Sequence, residues 1–394
     1  MSAPTSPVAS HLSGTGAGAG PLGGVRTTVK ELIAVAGVEL TANTTVELPA
    51  SAIAAELESP IVTRLRAAGA SIESTSTTHE LAWGITSWTG GRRVANPVVD
   101  GRVAGGSSGG AAALVAQGAA DLGVGTDTAG SIRIPAGWCD LVGWKPTVDL
   151  VPTEHVLPLA PGFDTVGFLA RDVDLLDRVA DLLDVGDVEA RPVRIAELRL
   201  DGAVRDRRLD RPISDSLDVL RRAGHEVVAP LVGPPAEATL RSFATLQLDA
   251  SLRAHRDVLG TWPEQRARYG AAIRQRLTAA ERLDEAEVAM ARQARDELAS
   301  TLAGWFDRVD ALVLPTTGCE PPTQDRPDEV EVDGSWHDLR SVVLPHTVLA
   351  NLTGAPAVSV PARVEGAPSG VQVLVPAGAD RRALRLAADL MAAT

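Results

Sequence analysis

The sequence predicts an α/β protein whose strands and helices alternate along the chain and stack in layers. Short apolar runs typical of buried strands are separated by segments whose apolar residues recur every three or four positions, as in helices. The 394 residues are 45% hydrophobic and 22% charged, which is sufficient for a large core. The sequence contains no internal repeat. We therefore expect one large domain.

The N-terminal part places a lysine directly after a predicted strand. Residues 1–24 are rich in Ser, Gly, Ala and Pro, which predicts a flexible tail and a folded domain over residues 25–394. Residues 25–29 are predicted to form a strand that leads into Lys30. By pattern alone, a single lysine at such a position is more typical of a solvated surface charge than of a functional group.

The most informative stretch spans residues 105–147 and contains two serine sites flanked by glycine. Glycines precede and follow Ser107 and Ser108, which lets the backbone there approach a ligand closely. Residues 111–120 are predicted to form a helix and residues 122–124 a buried strand, which a tight turn follows and ends at Ser131. We expect the two serine turns to converge.

Three other interpretations fit parts of this stretch less well. A phosphate-binding P-loop needs Lys followed by Ser or Thr after its glycines, whereas Ala111 and Ala112 follow here. A G-x-S-x-G nucleophile elbow should end a clean buried strand, but Pro97 and Gly101 interrupt the approach. A Gly/Ser linker would not lead directly into apolar helix and strand patterns.

The remaining elements continue the alternation of strands and helices. Helices are predicted at residues 61–70, 172–184 and 214–224, within 236–306, and at 381–393; strands are predicted at 71–74, 191–195, 225–228, 309–314 and 371–375. The helical segment carries an arginine-rich face that includes Arg266, Arg268, Arg274 and Arg276. That face could bind an acid, but a solvated helix face has the same composition and is the favoured interpretation. Residues 325–336 are expected to form an acidic loop interrupted by proline.

Composition limits the class of partner. A net charge of −13 argues against nucleic acid and against an anionic membrane surface. The two cysteines, Cys139 and Cys319, are too few for a disulfide framework and lack metal-ligand spacing. The first 24 residues lack the features of a signal peptide and no apolar run reaches membrane-spanning length, so we expect a cytoplasmic location.

The 105–147 stretch resembles the signature of the amidase signature family, serine hydrolases that use a Ser-Ser-Lys triad without histidine. The resemblance extends to TVKELIAVAG around Lys30 and to NLTGAPAVSVP near the C-terminus, and is weakest between residues 190 and 300. It implies a central mixed β-sheet with helices on both faces. It also implies that the helices of residues 230–305 are an elaboration over the pocket.

The resemblance assigns roles to individual residues. Ser131 would be the nucleophile, Ser107 the bridging serine after a cis peptide bond, and Lys30 the general base. The oxyanion hole would be the backbone N–H groups of Thr128, Ala129, Gly130 and Ser131, with Ser108, Asp127 and Arg133 in supporting roles. Three departures from the family pattern are Glu31 in place of Asp, Ala129 in place of Gly and Ala111 in place of Ser.

The same resemblance implies the chemistry. The expected reaction is hydrolysis of a small carboxamide through an acyl-enzyme on Ser131, with no metal or cofactor, and segments around residues 152–167 look most like short amidases such as indoleacetamide hydrolases. The base must be uncharged, so we expect Lys30 to be buried away from water. A glutaminase-type subunit of an amidotransferase complex and a catalytically silent amidase-fold binding protein are the alternatives. The oligomeric state stays open, with a homodimer as the candidate assembly.

Overall fold

The computed structural model describes residues 5–12, 18–89, 91–188 and 191–392. The strands in chain order are β1 (Val8–His11), β2 (Arg26–Lys30), β3 (Ser71–Ser76), β4 (Trp88–Thr89), β5 (Arg92–Arg93), β6 (Leu122–Asp127), β7 (Val142–Lys145), β8 (Thr165–Ala170), β9 (Arg194–Asp201), β10 (Glu226–Val227), β11 (Leu231–Pro235), β12 (Ala311–Pro315), β13 (Glu329–Val332), β14 (Ser335–Asp338), β15 (Ala357–Val360), β16 (Arg363–Val364), β17 (Ala367–Pro368) and β18 (Val371–Leu374).

The α-helices in chain order are α1 (Ala50–Ile53), α2 (Pro60–Ala67), α3 (Gly109–Ala116), α4 (Arg133–Trp138), α5 (Val173–Leu182), α6 (Asp210–Arg222), α7 (Ala236–Arg253), α8 (Ala271–Ala280), α9 (Glu285–Phe306), α10 (Leu339–Thr353) and α11 (Asp380–Met391). A π-helical turn, Ala254–Val258, extends α7.

One mixed sheet organises the described chain. Its strand order is β1-β3-β2-β6-β8-β7-β15-β18-β12-β9-β10, with β11 paired to β9 as the twelfth strand. Pairing is parallel from β3 to β6 and again between β12, β9 and β10, and antiparallel in the middle of the sheet. The predicted α/β class with a central mixed sheet is confirmed.

Successive residues of the central strands face two different cores. On β12, Val313 belongs to a buried cluster that includes Ile195 and residues of α2, α5, α6 and α11, whereas its neighbours Leu312 and Leu314 belong to a second cluster that includes residues of α7 to α10. This alternation is the period of two that a strand imposes on its side chains. Because apolar residues occupy both sides, the sheet needs helices on both faces, as predicted.

The structure differs from the sequence predictions at three places. Within the predicted tail, β1 forms an antiparallel edge with β3, while residues 1–4 and 13–17 lie outside the described residues. The prediction that residues 325–336 form a loop is wrong from residue 329 onward, where β13 and β14 form a hairpin. The strand expected at residues 191–195 begins at Arg194 and continues to Asp201.

Candidate active site

Lys30 lies at the end of β2 in a dry, hydroxyl-rich environment. Its side chain is 0% exposed, and its Nζ lies 2.8 Å from Ser107 Oγ and 2.8 Å from Thr126 Oγ1. Burial lowers the pKa of Lys30 to about 7, against the opposing effects of the negative charges of Asp127, Asp164 and Glu31. A substantial fraction of this amine is therefore uncharged near neutral pH.

The turn around Ser107 is held through its backbone. The Gly106–Ser107 peptide bond is cis, as the resemblance predicts. The carbonyl oxygen of Ser107 accepts three hydrogen bonds of 3.1 Å, from the His79 amide and from the hydroxyls of Thr78 and Ser87. These bonds fix the carbonyl on one side and leave the Ser107 hydroxyl to Lys30.

Ser108 joins the two serine turns. Its amide donates to Ser131 O at 3.2 Å, and its hydroxyl donates to Thr126 O at 3.2 Å. The Ser108 hydroxyl thus contacts the backbone of Thr126, whose own hydroxyl contacts Lys30 Nζ. This geometry suits the supporting position that the resemblance gives to Ser108.

Asp127 and Arg133 brace the turn that carries Ser131. Both side chains are 0% exposed, and they form a two-pronged ion pair with distances of 2.9 and 3.0 Å. The Asp127 carboxylate also accepts the amides of Gly130, at 2.7 Å, and Ile132, at 3.2 Å. Although burial opposes them, the charge and hydrogen bonds of Arg133, the charge of Lys145 and the hydrogen bond from Asn351 hold the pKa of Asp127 well below its usual range.

Three neighbouring backbone amides are left free beside Ser131. Among the described residues, the N–H groups of Thr128, Ala129 and Ser131 make no hydrogen bond, whereas the Gly130 N–H donates to Asp127. Thr128 and Ser131 are only 1% and 4% exposed. Buried amides normally have partners, so this run of free donors is the type of arrangement that an oxyanion requires.

The alanine at position 129 fits this turn without a backbone conflict. Positive φ in the turn falls on Gly130, at 109°, where a Cβ atom would lie 2.7 Å from Thr347 Cβ. Ala129 itself is absent from the positive-φ positions, and its carbonyl accepts a 2.7 Å hydrogen bond from Thr347 Oγ1. The family glycine is therefore needed at 130, where the chain keeps it, and not at 129.

Several residues that contribute to the site lie far from the motif in the sequence. Asn351 donates to Asp127 Oδ1 at 2.9 Å, and Gln372 accepts from Arg133 at 3.0 Å. Asp164 accepts the Thr128 hydroxyl at 2.6 Å and the amides of Leu159 and Ala160 at 2.9 Å, while burial raises its pKa. Asn351 and Asp164 lie in segments that carry the family resemblance, NLTGAPAVSVP and residues 152–167, but no local sequence signal marks Gln372.

Glu31, next to the lysine, also acts as a brace. It is 2% exposed, forms a 3.0 Å ion pair with Arg92, and accepts the Thr78 amide at 2.9 Å and the Thr41 hydroxyl. The longer side chain in place of the family aspartate thus reaches partners in three separate segments of the chain.

The other reactive residues do not enter this cluster. Cys139 and Cys319 are buried, free thiols whose pKa values are raised by desolvation. Within the described ranges, no group of three or more His, Cys, Asp or Glu side chains has the arrangement of a metal site. In the same part of the chain, no helix combines the length and apolarity needed to cross a membrane.

Two serine turns and a buried lysine, gathered at the carboxyl ends of the neighbouring strands β2 and β6, define a hydrolase-type site. The chain belongs to the amidase family, whose family model matches residues 8–384. It is accordingly an amidohydrolase that acts on carbon–nitrogen bonds.

Proteins with several different names resemble this chain in sequence. It is 31% identical to a glutamyl-tRNA(Gln) amidotransferase subunit of Natronomonas pharaonis, over 94% of this chain and 96% of that protein. It is 31% identical to 2-amino-5-chloromuconic acid deaminase of Comamonas testosteroni, over 95% and 82% respectively. It is 38% identical to indoleacetamide hydrolase of Pseudomonas syringae pv. syringae, but over only 52% of this chain and 47% of that protein.

Solved structures agree on the fold. A crystal structure of an amidase superimposes with a TM-score of 0.84 at 33% identity, covering 95% of this chain and 85% of that one. A second structure comes from a vestigial protein complex related to the evolutionary origins of an s-triazine catabolic enzyme. It superimposes with a TM-score of 0.82 at 26% identity, covering 95% of this chain and 85% of that one.

Proposed function

We propose that this protein hydrolyses a small carboxamide to a carboxylic acid and ammonia or an amine, with Ser131 as nucleophile, Ser107 as proton relay and Lys30 as base. The observation that carries the proposal is the 2.8 Å contact between the Lys30 Nζ and the Ser107 hydroxyl in a fully buried environment. A lysine with its pKa lowered to about 7 can accept a proton that a solvated lysine could not.

In the first half of the reaction, uncharged Lys30 accepts the proton of Ser107 as Ser107 accepts the proton of Ser131. Ser131 Oγ attacks the amide carbon, and the carbonyl oxygen becomes an oxyanion. The free amides of Thr128, Ala129 and Ser131 are the donors we assign to that oxygen, with Gly130 supplying the bend of the turn rather than a hydrogen bond.

In the second half, the carbon–nitrogen bond breaks and the leaving nitrogen takes the proton back from Lys30 through Ser107. Water then attacks the ester on Ser131 while the same pair removes its proton; the bond between the acyl carbon and Ser131 Oγ breaks, Oγ takes that proton back through Ser107, and the carboxylic acid leaves. Every proton in this scheme moves through Ser107. The three hydrogen bonds to its carbonyl oxygen and the 2.8 Å contact of its hydroxyl with Lys30 Nζ support that role.

The proposal is tested with a fluorophosphonate probe, which forms a covalent bond with an activated serine. We expect labelling of the wild-type protein, loss of labelling in Ser131→Ala, and loss of ammonia release from a panel of aliphatic and aromatic amides in the same variant. As a matched control, Ser300→Ala removes a serine on the exposed face of α9 and should change neither readout. Wild-type protein that the probe does not label would favour a catalytically silent binding protein.

A second candidate is the glutaminase-type subunit of an amidotransferase complex. It is favoured by the similarity to the glutamyl-tRNA(Gln) amidotransferase subunit, which extends over nearly the whole of both chains. The two candidates differ in their need for a partner: a free-standing amidase releases ammonia alone, whereas a glutaminase subunit should accept glutamine and respond to the remaining members of its complex.

A further inference from the structure

One hydrogen bond holds the side chain at the start of the turn that carries the nucleophile. The Thr128 hydroxyl donates to Asp164 Oδ1 at 2.6 Å, and among the described residues the Thr128 side chain makes no other hydrogen bond. Thr128 is only 1% exposed, so bulk water offers its hydroxyl little alternative. Asp164 therefore contacts the residue whose amide is the first of the donors assigned to the oxyanion.

The other contacts that hold this turn lie further along it. Asp127 accepts the Gly130 amide at 2.7 Å, and the Ala129 carbonyl accepts a 2.7 Å hydrogen bond from α10. Neither contact involves residue 128. The position of the first donor thus depends on the bond to Asp164.

Asp164 is itself held in place by its own loop. Its second oxygen, Oδ2, accepts the amides of Leu159 and Ala160 at 2.9 Å each, and its backbone amide donates to Ala160 O at 3.2 Å. The ladder between β6 and β8 ends one residue before Thr128, which places Thr128 and Asp164 opposite each other just beyond it. The carboxylate is therefore a fixed support at the end of the sheet ladder.

This carboxylate differs from the one on the other side of the turn. Asp127 has the buried counter-ion Arg133, whereas Asp164 has no ion-pair partner within 4.0 Å in the described part of the chain. Burial raises the pKa of Asp164, against the effects of its three hydrogen bonds and of the charge of Lys30. An unpaired carboxylate in such a place is unfavourable for stability, and perturbed groups of this kind concentrate at functional sites.

Resting on the amidase function proposed above, we propose that Asp164 is a positioning residue for the oxyanion. By holding the Thr128 hydroxyl, it keeps the amides of Thr128 and Ala129 in place for the oxygen that becomes negative in the transition state. Such donors stabilise the transition state only if they are in place before the reaction. Because the oxyanion is absent from the bound substrate, loss of the support should appear in kcat and not in KM.

The first experiment removes the hydroxyl without disturbing the loop. Thr128→Val leaves the other two hydrogen bonds of the Asp164 side chain intact. We expect kcat for amide hydrolysis to fall about 10- to 100-fold while KM stays within about twofold of the wild-type value. Thr128→Ser keeps the hydroxyl and should restore most of kcat. An unchanged kcat in Thr128→Val would overturn the positioning role and leave the amidase function standing.

The matched control is a second threonine–aspartate pair. The Thr147 hydroxyl donates to Asp380, which is 2% exposed at the start of α11, and none of the hydrogen bonds of this pair involves the serine turns. Thr147→Val makes the same chemical change and should leave kcat unchanged. Equal losses of kcat in Thr128→Val and Thr147→Val would show a general effect of lost stability and would contradict the proposal.

A double variant tests whether the two side chains act as one unit. If they do, Asp164→Ala combined with Thr128→Val should lose no more kcat than Asp164→Ala alone, because the shared bond is already absent. In Thr128→Val the pH midpoint of kcat/KM should stay at the wild-type value, since Lys30 is untouched. Additive losses, or a displaced midpoint in Thr128→Val, would mean that the pair does not act through the oxyanion.

The last measurement does not require amide turnover. In fluorophosphonate labelling, Ser131 Oγ bonds to phosphorus, fluoride leaves, and the serine proton passes to Ser107 and Lys30. Negative charge develops on the phosphoryl oxygen, so the labelling rate constant should also fall about 10- to 100-fold in Thr128→Val. An unchanged rate overturns the role of Asp164. If the wild-type protein is labelled but hydrolyses no amide, the proposed function fails and this rate still decides the role of Asp164; a wild-type protein without either reaction overturns both.

Discussion

The chain buries two lysines on the same sheet, and only one of them is placed to act as a base. Lys30 at the end of β2 and Lys145 at the end of β7 are both 0% exposed, and burial lowers the pKa of each to about 7. Lys30 Nζ contacts two hydroxyls, whereas Lys145 Nζ donates to the carbonyl oxygen of Pro146 at 2.7 Å. A carbonyl has no proton to give, so Lys145 is structural.

The comparison teaches that a lowered pKa is necessary for a lysine base but does not identify one. The negative charge of Asp127 raises the pKa of both amines, against the effect of burial. What separates them is the neighbouring group: a hydroxyl continues a proton path, and a backbone oxygen ends it. The function of Lys30 therefore depends on Ser107 as much as on burial.

Replacing each lysine by methionine tests the comparison most strongly. Lys30→Met removes the base and should lower kcat for amide hydrolysis by about 10³- to 10⁴-fold, as measured by ammonia release. Lys145→Met should keep kcat near the wild-type value but lower the free energy of unfolding by about 1–3 kcal/mol, because Pro146 O loses its donor. Similar losses of kcat in both variants would contradict the distinction.

Asp127→Asn removes the negative charge that raises the pKa of both lysines. It leaves the buried Arg133 charge without its ion-pair partner and should lower the free energy of unfolding by about 3–5 kcal/mol, measured by urea denaturation. The control is Asp296→Asn, in an exposed pair with Arg295, for which the expected loss is below about 1 kcal/mol. Equal urea midpoints for Asp127→Asn and wild type would show that the ion pair does not hold the turn.

The pH dependence of activity gives the smallest of these effects. Because the pKa of Lys30 is lowered from 10.5 to about 7, the amine gains a proton and loses its function as pH falls below that value. For one titrating base, kcat/KM should rise about tenfold between roughly pH 6 and pH 8 and then level off. Lys145→Met should retain this rise. A midpoint close to that of a solvated lysine would mean that Lys30 is not the base.

Parts of the fold could be predicted because their signals are local. The local sequence patterns predicted β2, α3, β6, α5 and α11 to within a few residues. The hairpin of β13 and β14 was missed although its signal is local too: Asp333-Gly334, with positive φ at both residues, is a preferred two-residue hairpin turn between alternating apolar residues. The acidic composition of the segment obscured that pattern.

The edge strand β1 could not be predicted in the same way. Residues 8–11 carry no strong strand pattern, and they become a strand because β3 offers an unpaired edge to them. The arginines of residues 266–276 show the same dependence on context. The sequence pattern does not distinguish Arg266, Arg268 and Arg276. In the structure, Arg266 and Arg268 pair with carboxylates, whereas Arg276 donates to the carbonyl oxygen of Trp83.

The sequence by itself determined the order of the chemistry-bearing residues and the α/β class, because motifs and hydrophobic periods are properties of neighbours along the chain. Only the tertiary structure decided which of two buried lysines meets a hydroxyl, which amides beside Ser131 stay free, and which of the arginines at 266, 268 and 276 pair with carboxylates. The physical reason is that hydrogen-bond partners, desolvation and charge pairing act over a few ångströms in space. Here they join residues such as 30 and 107 or 127 and 351, which are far apart in the chain.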